Sequence, residues 1–334
     1  MRPIGDLSVM LKSRNSQNFL ERTVNQAAQS VTTGIVADKT EHLGGSTLGL
    51  SLLERKATLL KQLQANLSEA LIYANGQQSS LEYIRNVSED LANSLPPISQ
   101  QNLQNELVPL SERAEADMKN VVQALNKAIA GKHVFSGTEN NNKPLIESST
   151  ILSQVKIKTA GYNTASSVIS EIDTWFESVG GGFDSIAYKG SSSSYINIPI
   201  GVDVEAEYGF RADDVVVRQL LKNICKVAIA TDPSSSLSSA QRKLVLEDAY
   251  VGLIESGSPL ITEQANLGII EENIIESKDR ISQEVSQTEL MIQNMIGINQ
   301  FEEVTKFEAA QKNLQILYQI VARQSQASFS DYLR

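Results

Sequence analysis

Cysteine is almost absent from this sequence: Cys225 is the only one in 334 residues. A single thiol cannot close a disulfide within the chain or assemble a thiolate metal site, and it reads as a small apolar filler on a helix. Histidine is nearly as scarce. His42 and His133 have no second ligand at helical metal-site spacing, which argues against a zinc centre and against imidazole general-base chemistry. Aromatic residues make up 5 % of the chain, against 41 % hydrophobic residues overall, a mixture better suited to long helices than to a compact enzyme core. No stretch approaches the roughly 18 apolar residues of a membrane span. The segment Met1 to Leu20 carries Asp6, Lys12, Ser13, Arg14 and Asn15 with no continuous apolar core, so it is not expected to be a secretory signal. An excess of positive charge is missing too. A net charge of -10 without a local Lys/Arg cluster repels nucleic acid phosphates and anionic membranes, so neither nucleic acid binding nor membrane insertion is expected.

Recognisable catalytic motifs are also lacking. The triplet Gly180-Gly181-Gly182 has neither the Lys-Ser/Thr of a phosphate loop nor dinucleotide-fingerprint spacing, and reads as a turn. The pairs Asp213/Asp214, Glu271/Glu272 and Glu302/Glu303 read as solvated faces rather than acid/base partners, because adjacent helical residues diverge. The run Ser191 to Ser194 has no accompanying histidine and reads as a loop tip. No enzyme activity, cofactor or metal is expected.

What the chain has in abundance is helical periodicity. Its last third, Leu267 to Leu333, reads as one long amphipathic helix. Phe307, Ala310, Leu314, Leu317 and Val321 step by three and four along one stripe, beside Tyr318, and the stripe needs a partner helix. Asp6 to Thr33 predicts a first helix, capped by Asp6 and stopped by Gly34, with Leu20, Val24, Ala27 and Val31 on one face. Gly34 to Gly49, with four glycines, is a loop long enough to touch partners. Ser51 and Glu54 have capping-box spacing and open the most regular segment. There Leu60, Leu63, Leu67, Ala70, Ala74, Gln77, Leu81, Ile84, Ser88, Leu91 and Leu95 form a sustained coiled-coil seam on a helix about 65 Å long. Gln77 and Ser88 either fix its register or sit at tolerant, partly exposed positions. Pro96 and Pro97 end it. Ser99 then caps a third helix running to about Ala130, with Leu103, Leu107, Leu110, Ala114, Val121 and Ala124 on one face and Pro109 as an irregularity. It forms a hairpin with the second helix, and Gly131 stops it.

Between Gly131 and Pro233 glycine, serine and aromatics concentrate, the mark of an inserted α+β domain. Gln154 to Lys158 and Tyr195 to Ile200 alternate like strands, with Pro199 on an edge, and Val202, Val204 and Ala206 continue the pattern. Val168, Ile172, Trp175, Phe176 and Val179 have helical spacing, with Trp175 as anchor. Asp213 caps a helix through Val217, Leu220, Leu221, Ile224 and Val227. Ser238 and Gln241 open the returning helix, and Ser256 to Pro259 predicts a break or kink in it. The expected fold is mainly α: an elongated antiparallel helical bundle or coiled coil from both termini, with a small mixed insert. The expected segments are 1–50, 51–131, 132–233, 234–296 and 297–334.

Three stretches carry a resemblance to the flagellin superfamily. Val31-Thr32-Thr33-Gly34 is similar to the turn that closes the first flagellin-type helix. Phe135-Ser136-Gly137-Thr138, followed by polar Glu139 to Lys143 and Pro144, resembles the segment before the central domain in the hook-filament junction (hook-associated protein 3) family. Gln311 to Gln315 through Ser328-Phe329-Ser330-Asp331-Tyr332-Leu333 resembles that family's last helix and closing leucine motif. Two stretches depart from it, Glu41 to Gly45 and Asn299 to Glu302. The resemblance implies a flagellin-like structural subunit, exported without cleavage through the flagellar type III apparatus, extracellular, and assembled at the hook-filament junction. It implies as partners copies of itself, a neighbouring hook-associated protein, flagellin and an export chaperone. The implied assembly residues are Leu20, Val24, Val31, Phe307, Leu314, Leu317, Tyr318, Val321 and Leu333. Flagellin itself, and a secreted coiled-coil effector or translocator, are the alternative readings.

Overall fold

The computed structural model describes residues 3–95, 103–191, 196–199, 205–208 and 210–332. They are mainly helical and fall into two compact units, residues 1–62 with 282–334, and residues 63–281.

The first unit contains helices α1 (Pro3–Thr33), α2 (Lys39–His42) and α9 (Gln300–Tyr332), with the opening turns of α3 (Leu48–Ser94) and the closing turns of α8 (Ser239–Ile296). Helix α1 begins ahead of Asp6, so Asp6 lies inside it and is not its cap; a proline at the first position suits a helix start, where its missing N–H costs nothing. Gly34 does stop α1, with φ at +75° and its N–H on the Ser30 carbonyl at 2.8 Å. The expected loop contains α2, whose cap Asp38 accepts the Glu41 N–H at 2.9 Å. Ser51 and Glu54 are not a capping box. Helix α3 starts at Leu48, and the Ser51 N–H already donates to the Thr47 carbonyl at 2.9 Å.

The last third is two helices rather than one. Gly297 donates back to the Gln293 carbonyl at 2.6 Å, and the chain then leaves the helical path to bridge Ile35. Val36 N–H bonds the Ile296 carbonyl at 2.9 Å and Ile298 N–H bonds the Gly34 carbonyl at 3.2 Å. The Asn299 side chain accepts from Phe301 N–H at 3.2 Å and restarts the helix as an N-cap.

In the second unit every position of the α3 seam from Leu63 to Leu95 is buried, Gln77 and Ser88 included, as is Leu60 in the first. Helix α4 (Leu103–Leu125) buries Leu110, Ala114, Met118, Val121, Val122 and Leu125, while Leu107 and Ala124 are only half-buried. It stops short of Ala130. The Asn126 side chain exchanges two 2.9 Å hydrogen bonds with the Leu145 backbone, and the His133 ring occupies the Asn126 carbonyl at 2.8 Å, so the helical ladder cannot continue. Strands β1 (Ala128–Ile129) and β2 (Lys132–His133) follow, joined by Ala130 and Gly131 at φ of 51° and 81°. Gly131 is thus a hairpin-turn residue and not a helix stop. Pro96, Pro97 and Ser99 lie outside the described residues, as does the Leu103 side chain.

The expected strand at Gln154 to Lys158 is instead helix α5 (Ser148–Thr159), which buries Ile151, Leu152, Val155 and Thr159 on one face and leaves Ile157 exposed. Helix α6 (Ala165–Glu177) buries Val168, Ile172, Trp175 and Phe176. Val179 lies beyond its end and is fully exposed. Trp175 packs edge-on against Phe176 at 4.7 Å and Phe183 at 6.4 Å between ring centroids, with Phe183 on a π-helical turn, Phe183–Ala187. The glycine triplet is a turn shaped by this core: a side chain at Gly182 would strike the Trp175 ring.

Strands β3 (Ile196–Pro199) and β4 (Glu205–Tyr208) pair antiparallel, Pro199 opposite Glu205; both are edge strands, where a missing N–H is tolerated. Tyr195, Ile200, Val202 and Val204 lie outside the described residues. Helix α7 (Val215–Thr231) buries the five predicted residues and packs on α4, α5 and α6. Its N-cap position is Asp214, not Asp213, and Asp213/Asp214 is no solvated face: Asp213 pairs with Arg211 at 2.9 Å and Asp214 accepts the Arg211 N–H at 2.7 Å. Burial raises the Asp214 carboxyl above the usual range.

At the start of α8, Ser238 Oγ accepts the Gln241 N–H at 3.4 Å, but Gln241 Oε1 accepts from Ala165 N–H at 2.6 Å instead of completing the box. No break occurs at Ser256 to Pro259. The buried series Leu246, Leu253, Leu260, Leu267, Ile274 and Ile281 continues through it, and that packing outweighs the one hydrogen bond Pro259 removes.

Candidate assembly surface

Helices α1 and α9 pack against one another. Leu20, Val24 and Val31 on α1 are half-buried around the buried Ala27; Phe307, Leu314 and Leu317 on α9 are half-buried around the buried Ala310. Tyr318 and Val321 remain exposed, and Leu333 lies outside the described residues. Tyr318 donates its hydroxyl to Glu21 at 2.8 Å, and Gln17 donates to the same carboxylate at 2.9 Å. These bonds, that of Gln17 first, hold the Glu21 carboxyl below its usual range, and the bond to Glu21 pushes the Tyr318 phenol up.

The pair leaves apolar surface uncovered: Met10, Leu11 and Phe19 on α1, and Phe301 (82 % exposed), Ile316 and Ile320 on α9. Sequence reasoning missed Phe19, Ile316 and Ile320 because it followed a single stripe on each helix. The four-residue spacing of Ile316 and Ile320 was the available signal for a second apolar face.

The segment Phe135-Ser136-Gly137-Thr138 serves as a clamp in the second unit. Phe135 is buried edge-on to Phe210, 6.2 Å between ring centroids. Its carbonyl accepts the Ala212 N–H at 3.0 Å, and the Ser136 carbonyl accepts the Ser191 N–H at 3.0 Å. Ser136 Oγ donates to the Asn142 carbonyl at 2.7 Å, and Gly137 adopts φ of 62°. From α3, the Gln77 amide donates to the carbonyls of Val134 and, at 3.2 Å, Phe210. Gln77 is therefore a buried, directional contact on the seam, not a tolerant exposed one.

Among the described residues no three His, Cys, Asp or Glu side chains converge on a metal site, and no helix is long and apolar enough to cross a membrane. Cys225 is buried, which pushes its thiol up to about 12 and suppresses the thiolate.

No family model and no curated protein matches the chain. Among solved structures, one described as a flagellar hook-associated protein from Vibrio parahaemolyticus aligns at a TM-score of 0.50 and 12 % identity, over 74 % of this chain and 96 % of that one. The chain has a flagellin-like helical fold. A second structure, FlgL from Bacillus cereus, aligns at a TM-score of 0.40 and 14 % identity, over 72 % of this chain and 94 % of that one.

Proposed function

We propose that this chain is a non-enzymatic structural subunit of a bacterial flagellum, joining hook to filament and polymerising through its terminal helices. The observation that carries the reading is the α1–α9 pair. Two helices from opposite ends of the chain are joined along half-buried stripes and keep apolar side chains on the outside. Such a surface favours association with further helices, because leaving it in water costs free energy. The fold shared with the hook-associated protein of Vibrio parahaemolyticus and the motifs at Val31, Phe135 and Gln311 support the same reading. On this proposal the partners are other copies of the chain, a neighbouring hook-associated protein, flagellin and an export chaperone that covers α9 before assembly. The proposed route is type III export, to an extracellular site.

Deletion of the gene in its own host tests this. Cells should carry hooks without filaments and shed flagellin monomers into the medium; normal filaments on such cells would overturn the proposal. Long filaments grown from the purified chain alone would instead mark it as the filament subunit.

A further inference from the structure

In the second unit, α8 buries one apolar seam and exposes another. On the side away from Leu253, Leu260 and Ile274 lie Val251, Ile254, Ile261, Ile269 and Ile275, each 45–59 % exposed. Ile254, Ile261 and Ile275 stand at multiples of seven residues. Gly268 takes the intervening position, where an added Cβ would meet nothing within 4 Å, so it leaves a notch in the stripe. A straight seven-residue period along a helix matches the seam of another helix better than a strand or an irregular loop.

The charge beside this stripe is of one sign. No Lys or Arg occurs between Lys243 and Lys278. The first acids are neutralised, Glu247 by Lys243 at 3.4 Å and Asp248 by Lys226 at 2.7 Å. Glu255, Glu272 and Glu276 flank the isoleucines and have no ion-pair partner among the described residues. A second copy docking through the same face would set these carboxylates against their own equivalents, in a chain of net charge -10. An anionic lipid surface would be repelled in the same way.

We infer that the outer face of α8 from Val251 to Glu276 is a docking site for a basic amphipathic helix of another protein, with an apolar stripe at seven-residue spacing flanked by Lys or Arg. The isoleucines supply the buried contact, Gly268 accepts the bulkiest partner side chain, and the three free glutamates select a cationic flank. The inference does not depend on the flagellar reading.

The test uses the full chain and a fluorescein-labelled synthetic helix about four heptads long, with leucine on one stripe and lysine beside it. Fluorescence anisotropy should show saturable binding. Ile261→Ser and Ile275→Ser should each weaken it by about tenfold, since one buried aliphatic side chain is worth that much. Glu255→Gln, Glu272→Gln and Glu276→Gln together should weaken it and remove most of its salt dependence. These positions are exposed, so circular dichroism and Trp175 emission should stay unchanged and show that the variants fold. The inference is overturned if a peptide with glutamate in place of lysine binds equally well, or if Ile261→Ser has no effect on binding. It is also overturned if Ile261→Ser abolishes self-association of the chain, which would make a second copy the occupant, or if the chain adsorbs to anionic phosphatidylglycerol vesicles through this face.

Discussion

Arg242 shows how one side chain holds a connection in place. Its guanidinium donates to the carbonyls of Ala230 at 2.7 Å, Asp232 at 2.8 Å, Ser235 at 2.8 Å and Leu237 at 3.1 Å. The loop between α7 and α8 therefore folds around a buried cation that satisfies the last carbonyls of α7, groups a helix end otherwise leaves unpaired. Arg242→Ala should cost about 3 kcal/mol, because several buried charge-assisted bonds vanish and the carbonyls stay behind. Arg242→Lys should recover little, since an ammonium cannot span the same fork. Urea unfolding monitored at Trp175 measures both. Asp117 supports a pH prediction. Burial raises its carboxyl above the usual range, while its 3.5 Å pair with Arg113 offsets only part of that effect. A carboxyl with a higher pKa folded than unfolded binds its proton more tightly in the native state. Its contribution thus favours folding at low pH and is lost as pH rises from the ordinary aspartate value, about 3.9, through the folded value. Asp117→Asn should remove that decline. Unfolding free energies of the two proteins across this window should converge at the acid end and separate toward neutrality, with the variant more stable; parallel curves would rule the effect out.

At the scale of elements, legibility followed the length of the periodic signal. The α3 seam was readable residue by residue because three-and-four spacing persisted from Leu60 to Leu95, and each of those positions is buried. Five residues were too few at Gln154 to Lys158. Val155 and Ile157 alternate like a strand, yet Ile151, Leu152 and Val155 share a helical face, and packing on α4, α6 and α7 decides for the helix. The early end of α4 depends on Asn126 reaching Leu145, a distant contact that no local pattern encodes. The break at Gly297 likewise depends on its bridge to Ile35. For the candidate surface, the stripes on α1 and α9 were visible as periodicity, but their second exposed faces were not, because burial depends on what each helix meets. Helix α8 shows a different balance: buried packing carries it through Pro259, while Gly257 and Gly268 weaken it with no space constraint to require them. Gly257→Ala and Gly268→Ala should each stabilise the chain by about 0.5–1 kcal/mol, the usual helix-interior penalty of glycine. Thermal unfolding by circular dichroism measures this; a lowered midpoint would mean that the glycines relieve crowding after all.

At the scale of the whole molecule the two units have differently finished cores. The second unit closes its own: Phe135, Phe176, Phe183 and the seams of α3 and α8 within it are buried, and its single tryptophan is enclosed. The first unit holds α1 and α9 together along stripes that are mostly half-buried, and it leaves Phe19, Phe301 and Ile320 in water. Substitutions on α9 should therefore separate assembly from folding. Leu314→Asp and Leu317→Asp place a charge where a leucine is half covered, which costs several times thermal energy once neighbouring helices try to exclude water around it. In the monomer the carboxylate can still turn to solvent, so the loss should stay within the α1–α9 pair. The expected result has three parts: some loss of helical circular dichroism, an unchanged urea midpoint for Trp175 emission in the second unit, and failure of the variant to restore filaments in a strain lacking the gene. If filaments are restored normally, α9 is not an assembly surface. If the Trp175 midpoint falls together with the helical signal, the two units unfold as one, and the failure to assemble would follow from a damaged fold.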